Sequence, residues 1–279
     1  MNRRVETLLR GEAVTEGAGV HLHRVFGFHE APMFDPFLLL DDFRSDNPED
    51  YKKGFPWHPH RGIETITYVL KGDVEHGDSL GNSGTISDGD VQWMTAGSGI
   101  IHQEMPQGDP SGAMHGFQLW TNLPASYKMM RPRYQEYTAA RIPETQTAEG
   151  CHVKVIAGTV AGTSGPVTDV VTAPVYIDCT VPGGACFRHT SPPDHTALVY
   201  GIEGAGRIED TEVPTRHLAH LTSGTDIVVS APEGPFRFLL FTGKPIGEPV
   251  AWKGPIVMNT KAELDLAFLE YQSGTFVKI

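Results

Sequence analysis

Two short segments of the chain carry side chains that could together bind a metal ion. The first contains His58 and His60, and the second ends with His102 and Glu104. Because side chains alternate between the two faces of a β-strand, each pair would project from a single face. If the two strands are neighbours, three imidazoles and one carboxylate meet at one point. This donor set suits a divalent transition metal and leaves further coordination positions open.

Most of the 13 histidines do not share this pattern. His21 and His23 have the same spacing, but no second pair follows them at a suitable distance. His217 and His220 have helical spacing inside a stretch of predicted strands, which favours a solvated surface pair. We therefore interpret both pairs as unrelated to metal binding. Among the other histidines, only His115 is kept as a candidate for the cavity lining.

The composition predicts an all-β protein. The 31 glycines and 21 prolines among 279 residues favour frequent turns, and therefore short strands. Apolar or alternating runs bounded by Gly, Pro and Asp recur in both halves, as at residues 64–70 and 197–202. Turns at this spacing favour an antiparallel sandwich or a small barrel. We predict two similar β domains in tandem, residues 1–145 and residues 146–279.

One helix is expected near the C-terminus. Thr260 and Glu263 have the spacing of a capping box, in which each side chain bonds to the other residue's backbone N–H. Leu264, Phe268 and Tyr271 then form an apolar stripe, and Gly274 stands where a helix commonly ends. This segment is predicted to be a short α-helix within the second domain.

Charge and cysteine content exclude several classes of function. A net charge of −12 argues against direct binding to nucleic-acid phosphates. No apolar run is long enough for a secretory leader or a membrane span, so a cytoplasmic protein without a membrane partner is expected. The three cysteines, Cys151, Cys179 and Cys186, have no CxxC spacing, which disfavours a disulfide framework or a zinc–thiolate site.

The motifs around the two histidine segments resemble a known family. HxH followed by Glu, and then GD…AGxGxxH, is similar to the two motifs of the cupin superfamily. The longer segments PWHPHRGIETITYVLKGDVEHGDSLGN, MTAGSGIIHQEMP, GFQLWTNLP and GEPVAWKGPIVMNT resemble the pirin family. The resemblance covers essentially the whole chain. It implies a bicupin of two cupin β-barrels, with a metal in the first barrel, none in the second, and a short C-terminal helix.

The same resemblance implies a ligand set and an activity. It assigns His58, His60, His102 and Glu104 as ligands of one metal ion, usually Fe(II). Mn, Co, Ni, Cu or Zn also suit these donors. Pirin-like proteins are linked to quercetin 2,3-dioxygenase activity, in which a flavonol is cleaved with O2. They are also linked to redox-sensitive transcriptional co-regulation through protein partners, and this second role stays open as the alternative.

The residues favour the enzyme on chemical grounds. An open metal site can bind the flavonol hydroxyl and lower its pKa, and Glu104 can accept the proton as a general base. The expected partners are therefore a small aromatic substrate and O2. A set of nearby apolar residues is predicted to form a wall for a flat ligand: Phe55, Trp57, Trp93, Met94 and Phe117.

Glu64 is a second carboxylate close to the histidines in sequence. It has the same strand parity as His58 and His60, so it could also point inward. We expect it to contact Arg61 or the N–H of a ligand ring, and not to bind the metal itself. Two alternatives remain: Glu64 faces outward as an ordinary strand carboxylate, or it is itself a ligand.

Overall fold

The computed structural model describes residues 1–278, which form β-strands and one α-helix. The strands are, in chain order, β1 (Val5–Arg10), β2 (Glu12–Glu16), β3 (Val20–Phe26), β4 (Phe37–Ser45), β5 (Phe55–His60), β6 (Ile63–Lys71), β7 (Val74–Asp78), β8 (Ser83–Ile86), β9 (Val91–Thr95), β10 (Ile100–Pro106), β11 (Met114–Asn122), β12 (Arg133–Tyr137), β13 (Glu144–Gln146), β14 (His152–Ala157), β15 (Thr159–Val160), β16 (Thr163–Ser164), β17 (Val175–Val181), β18 (Cys186–Thr190), β19 (Thr196–Glu203), β20 (Ala205–Ile208), β21 (Thr211–Pro214), β22 (His217–Leu221), β23 (Asp226–Ser230), β24 (Phe236–Gly243), β25 (Ala251–Lys253) and β26 (Ile256–Met258). The helix is α1 (Lys261–Gln272), and short 3-10 turns lie at Ala31–Met33, Pro48–Asp50 and Ala139–Arg141. In the part of the chain described, no helix has the length and apolar character needed to cross a membrane.

The chain forms two compact β units, which confirms the predicted all-β, two-barrel fold. Barrel 1 comprises residues 12–32, 37–139 and 246–279. Barrel 2 comprises residues 1–11, 33–36 and 140–245. The chain passes from barrel 1 to barrel 2 between residues 139 and 140, close to the predicted boundary between residues 145 and 146. The two chain ends are assigned differently from the prediction, since a strand's sequence pattern does not specify which sheet the strand joins.

Barrel 1 is built from two antiparallel sheets with an apolar core. The larger sheet has the strand order β12-β9-β6-β11-β4-β3-β2, and the smaller has the order β5-β10-β7-β8. Strand β5 lies at an edge, which explains how it accommodates Pro56 and Pro59. Side chains from both sheets meet in one buried cluster: Val20, Leu22, Phe43, Val69 and Met114 from the larger sheet, and Val74 and Ile86 from the smaller.

Barrel 2 repeats this plan with different chemistry inside. Its sheets have the orders β1-β22-β19-β24-β17-β14-β13 and β18-β23-β20-β21. The interior is filled by apolar side chains, among them Phe187, Val199, Phe236, Phe238 and Leu240, each with no exposed surface. That this barrel binds no metal remains a prediction.

The C-terminal helix forms as predicted, although it belongs to barrel 1. Thr260 and Glu263 complete the capping box in both directions. Leu264 and Ala267 are the buried members of the helix, whereas Tyr271 is partly exposed. Gly274 follows the helix with φ +75°, a left-handed conformation that glycine adopts without strain.

Candidate metal centre

The two predicted histidine segments become neighbouring strands. β5 and β10 pair antiparallel, with His102 opposite His58 and Ile100 opposite His60. The Nε2 atom of His58 lies 3.0 Å from the Nε2 atoms of both His60 and His102. In residues 1–278, these three histidines form the one set of metal-binding side chains whose ligand atoms lie close together, within 4.8 Å of one another. The prediction that His58, His60 and His102 converge is therefore confirmed.

The tautomers of these rings fit a bound cation. His58 Nδ1 lies 2.9 Å from the carbonyl oxygen of Pro56, and His60 Nδ1 lies 3.1 Å from that of Pro255. A carbonyl only accepts, so both Nδ1 atoms carry the proton and both Nε2 atoms present lone pairs. Two lone pairs 3.0 Å apart repel each other unless a positive ion lies between them. Burial lowers the pKa of His60 and His102, which keeps their rings neutral and able to bind a metal.

Glu104 lies beside the histidines, as the alternation of β10 requires. Its Oε2 atom is 3.9 Å from His102 Nε2, and its Oε1 atom is 2.9 Å from the hydroxyl of Thr67. Burial raises the pKa of Glu104, while the electrostatic effect of His58 and the Thr67 hydrogen bond oppose that shift. The structure thus places a carboxylate next to three imidazoles. Its role as a fourth ligand remains a prediction.

Tight loops hold the two ligand strands in place. Gly62 (φ +78°) follows β5, and a Cβ atom there would lie 2.0 Å from the carbonyl oxygen of Val257. Gly97 (φ +50°) precedes β10, and a Cβ atom there would lie 2.2 Å from the Met130 carbonyl. Both turns therefore need glycine for conformation and for space. Arg61 joins these loops, because its Nε donates to the Ser98 carbonyl at 2.7 Å.

Lys128 is a buried cation that ties the ligand loop to the C-terminal segment. Its ammonium donates to the Gly62 carbonyl at 2.8 Å, to Asn122 Oδ1 at 2.6 Å and to the Val257 carbonyl at 3.1 Å. Val257 lies two residues beyond Pro255, whose carbonyl orients His60. No sequence pattern indicates this role, because a lone lysine in a loop is normally exposed to solvent.

Glu64 does not contact the ligand rings, and the expected contact with Arg61 is wrong. Its carboxylate accepts hydrogen bonds from Thr95 at 2.6 Å and Thr121 at 3.3 Å, on the face of β6 opposite to Thr67. The parity argument failed because Gly62 breaks the extended chain, so that β5 and β6 lie in different sheets. Burial raises the pKa of Glu64, and its hydroxyl partners oppose that shift.

A cavity of about 780 Å³ opens beside the histidines. His58, His60 and Glu104 line it, together with polar residues on the larger sheet of barrel 1. This volume is typical of a small-molecule site. Three aromatic rings follow one another from His60 along the cavity lining. Trp120 lies 5.1 Å from His60, and Trp252 lies 6.0 Å from Trp120 between ring centroids. The third, Phe28, lies 5.5 Å from Trp252.

The predicted aromatic wall is mostly wrong. Phe55 lines the cavity, but Trp57 is 52% exposed and lies outside it. Trp93 and Phe117 project from the opposite face of the larger sheet, and Met94 is buried in an adjacent apolar cluster. These residues were predicted because they are close in sequence to the proposed ligands. The aromatic side chains that do line the cavity come from segments distant in the chain.

His21, His220 and His115 lie away from the centre, whereas the buried His76 on β7 pairs directly opposite Glu104. His21 is exposed and pairs with Asp50 at 3.2 Å. His220 packs its ring against Phe34 at 5.1 Å. His115 lies 3.6 Å from Asp42 and is absent from the cavity lining among the residues described. The predicted solvated surface pair is wrong for His220, whose side chain is only 17% exposed. The suggestion that His115 lines the cavity is also wrong.

The chain matches known proteins along its whole length. The Pirin family model matches residues 19–121, and the Pirin C-terminal cupin domain matches residues 176–277. A pirin-like protein of Caulobacter vibrioides is 45% identical over 275 residues, covering 98% of this chain and 99% of that protein. A Pseudomonas aeruginosa protein with the provisional name quercetin 2,3-dioxygenase is 43% identical, covering 98% of this chain and 97% of its own. The crystal structure of quercetin 2,3-dioxygenase from Acinetobacter baumannii superposes with a TM-score of 0.90 at 34% identity, covering 99% of both chains. The chain forms two β-barrels, three histidines converge in the first of them, and known proteins match both halves. These findings have one explanation: this chain is a bicupin and belongs to the pirin family.

Proposed function

We propose that this protein is a metal-dependent dioxygenase that cleaves a flavonol such as quercetin with O2. The metal would be bound by His58, His60, His102 and Glu104, with Fe(II) as the physiological ion. One observation carries the proposal: three imidazole nitrogens converge beside a cavity that His58 and His60 line together with aromatic side chains. The names of the Pseudomonas and Acinetobacter relatives support the same activity.

The protein's own side chains supply orientation and proton transfer. A bound divalent metal ion lowers the pKa of a substrate hydroxyl. Glu104 then accepts the hydroxyl proton as a general base. Thr67 fixes one oxygen of that carboxylate, so the other faces the histidines. Trp120, packed edge-on against His60, provides an apolar surface for the flat substrate and excludes water.

A pair of double variants tests the proposal. His58→Ala/His60→Ala removes two proposed ligands, whereas His21→Ala/His23→Ala removes a pair of identical spacing outside the centre. Each protein is loaded with Fe(II), and bound metal, quercetin consumption and CO release are measured. We expect the first variant to lose metal and turnover, and the second to retain both.

Two outcomes would contradict the proposal in different ways. Full activity of the His58→Ala/His60→Ala variant would refute the site. No flavonol turnover by wild-type protein loaded with Fe, Mn, Co, Ni, Cu or Zn would refute the activity. The alternative, a metal-dependent regulator acting through a protein partner, would then explain the geometry of the centre better.

A further inference from the structure

Four side chains form a polar row across the floor of the cavity in barrel 1. Strands β3, β4, β11 and β6 are adjacent, and their register places Arg24 beside Asp41, Asp41 beside Gln118, and Gln118 beside Thr67. All four line the cavity. With neighbouring strands about 4.8 Å apart, the row is roughly 15 Å long. We call Arg24, Asp41, Gln118 and Thr67 the polar row.

One end of the polar row reaches the candidate metal centre. The Thr67 hydroxyl lies 2.9 Å from Glu104 and 2.6 Å from the side-chain amide of Gln118. Both neighbours present an acceptor oxygen, Glu104 Oε1 and Gln118 Oε1, to the hydroxyl. A hydroxyl has one proton, so Thr67 donates to one of these oxygens at a time. The opposite end, at Asp41 and Arg24, is remote from the reacting atoms.

Apolar side chains flank the polar row on both sides. Positions two residues away on the same strands face the same way. On β4 these are Leu39 and Phe43, and on β11 Trp120 flanks Gln118; all three line the cavity. A stripe of hydrogen-bonding groups inside an apolar cavity fixes the orientation of a ligand.

The remote end of the row is rich in acceptors and carries excess negative charge. Arg24 makes two hydrogen bonds of 2.9 Å to Asp41 and a third, of 2.7 Å, to Glu16. One guanidinium thus faces two carboxylates, whose oxygens keep unused lone pairs. Lys253 also lines the cavity, but its ammonium lies over the ring of Phe268 at 4.9 Å. Burial raises the pKa of Asp41 to about 6 against the opposing effect of Arg24, so it is mainly ionised at neutral pH.

We propose that Asp41, held by Arg24, is a specificity-determining residue that accepts hydrogen bonds from hydroxyl groups on the substrate ring farthest from the metal. The substrate class is accordingly a neutral aromatic compound with hydroxyls at both ends. An aromatic compound with a carboxylate at the remote end is rejected by Asp41 and Glu16, because like charges meet there. The inference rests on the proposed function, since it assumes that the substrate's reacting end lies at the histidines.

Anaerobic binding to the Fe(II) protein tests this inference separately from turnover. The probes are quercetin, which has two hydroxyls on its pendant ring, and galangin, a flavonol with none there. Dissociation constants are measured from quenching of tryptophan fluorescence. A hydrogen bond to a charged acceptor corresponds to about a tenfold or greater preference for quercetin in the wild type. We expect Asp41→Asn to reduce the preference to less than about threefold and to bind a flavonol with a pendant-ring carboxylate more tightly than wild type does.

Asp42→Asn is the matched control, because Asp42 lies on the same strand, is also buried, and projects from the other face. It should keep the wild-type preference. Equal affinity of the wild type for quercetin and galangin would overturn the inference, even if both are cleaved. That comparison needs no variant, so it decides the question if Asp41→Asn does not fold. If the wild type binds quercetin more tightly than galangin but releases no CO from quercetin, the dioxygenase proposal is refuted instead.

Discussion

Replacing Lys128 by Met tests how the ligand loop is held. Methionine is similar in length and unbranched, but it removes the charge and all three donors. The carbonyls of Gly62 and Val257 and the side-chain oxygen of Asn122 would then be buried without a partner. Buried polar groups that lose their partner destabilise the folded state by their full desolvation penalty.

The expected size of the effect follows from these contacts. A hydrogen bond to a charged group contributes about 1.5–3 kcal/mol, so three contribute roughly 4.5–9 kcal/mol. Burying the ammonium offsets several kcal/mol of this, and removing one partner of such a buried cluster destabilises by about 3–5 kcal/mol. For a protein of this size, that corresponds to a decrease in Tm of roughly 6–20 °C.

Thermal unfolding followed by circular dichroism at pH 6, where Lys128 is mainly protonated, measures the change. Lys261→Met is the control, since Lys261 is 84% exposed and pairs only with Asp265 on the helix surface. It should lower the Tm by no more than about 2 °C. Lys128→Met should also bind Fe(II) more weakly, because the Gly62 and Val257 segments position His60. A Lys128→Met protein with the Tm of the control would refute the role assigned to this lysine.

Because Lys128 is buried, we also predict that the stability of the protein depends on pH. Burial lowers the pKa of Lys128 from 10.5 to about 7, with Glu248 and Glu263 opposing the shift. Between these values the unfolded chain holds the proton and the folded chain releases it, so the free energy of unfolding rises with pH. From pH 7.5 to 9.5 the wild type should gain about 2–3 kcal/mol relative to Lys128→Met in urea unfolding. If the difference in free energy of unfolding between wild type and Lys128→Met does not change with pH, the three acceptors keep the ammonium protonated.

Two further substitutions probe the support of the centre. Gly62→Ala should destabilise by more than about 2 kcal/mol, because a positive φ adds to the clash with the Val257 carbonyl. Gly81→Ala, also at positive φ but in open space, should lose only about 1–2 kcal/mol in the same urea titration, and equal losses would exclude the clash. Thr67→Val should lower metal affinity or kcat by about 10- to 100-fold, because Glu104 loses its hydrogen bond. Thr85→Val, on the exposed face of β8, should change neither quantity, and a Thr67→Val enzyme with wild-type constants would exclude the orienting role.

The sequence predicted those parts of the centre that depend on local alternation. His58 and His60 share a face because they are two residues apart in one strand, and the same holds for His102 and Glu104. Turn residues and a capping box also carry their information locally, so the short strands and α1 were predicted correctly.

Features that depend on distant segments were missed. Trp252 and Pro255 reach the cavity from the C-terminal part of the chain, and no local pattern indicates that this part joins barrel 1. Glu64 was misplaced for a related reason: a single left-handed glycine changes the direction of the chain, and strand parity does not continue across it. Trp93 and Phe117 showed the correct amphipathic pattern, but the pattern does not say which face encloses the cavity.

The Pro255 carbonyl that orients His60 is 195 residues away in sequence, and this separation matters during synthesis. At about 5–20 residues per second, a ribosome needs roughly 10–40 s to translate the intervening chain. During that time His58, His60 and His102 have all left the peptidyl-transferase centre, while the acceptor that fixes the His60 tautomer does not yet exist. The proposed metal ion would therefore find the final geometry of the centre only after Pro255 has been added to the chain.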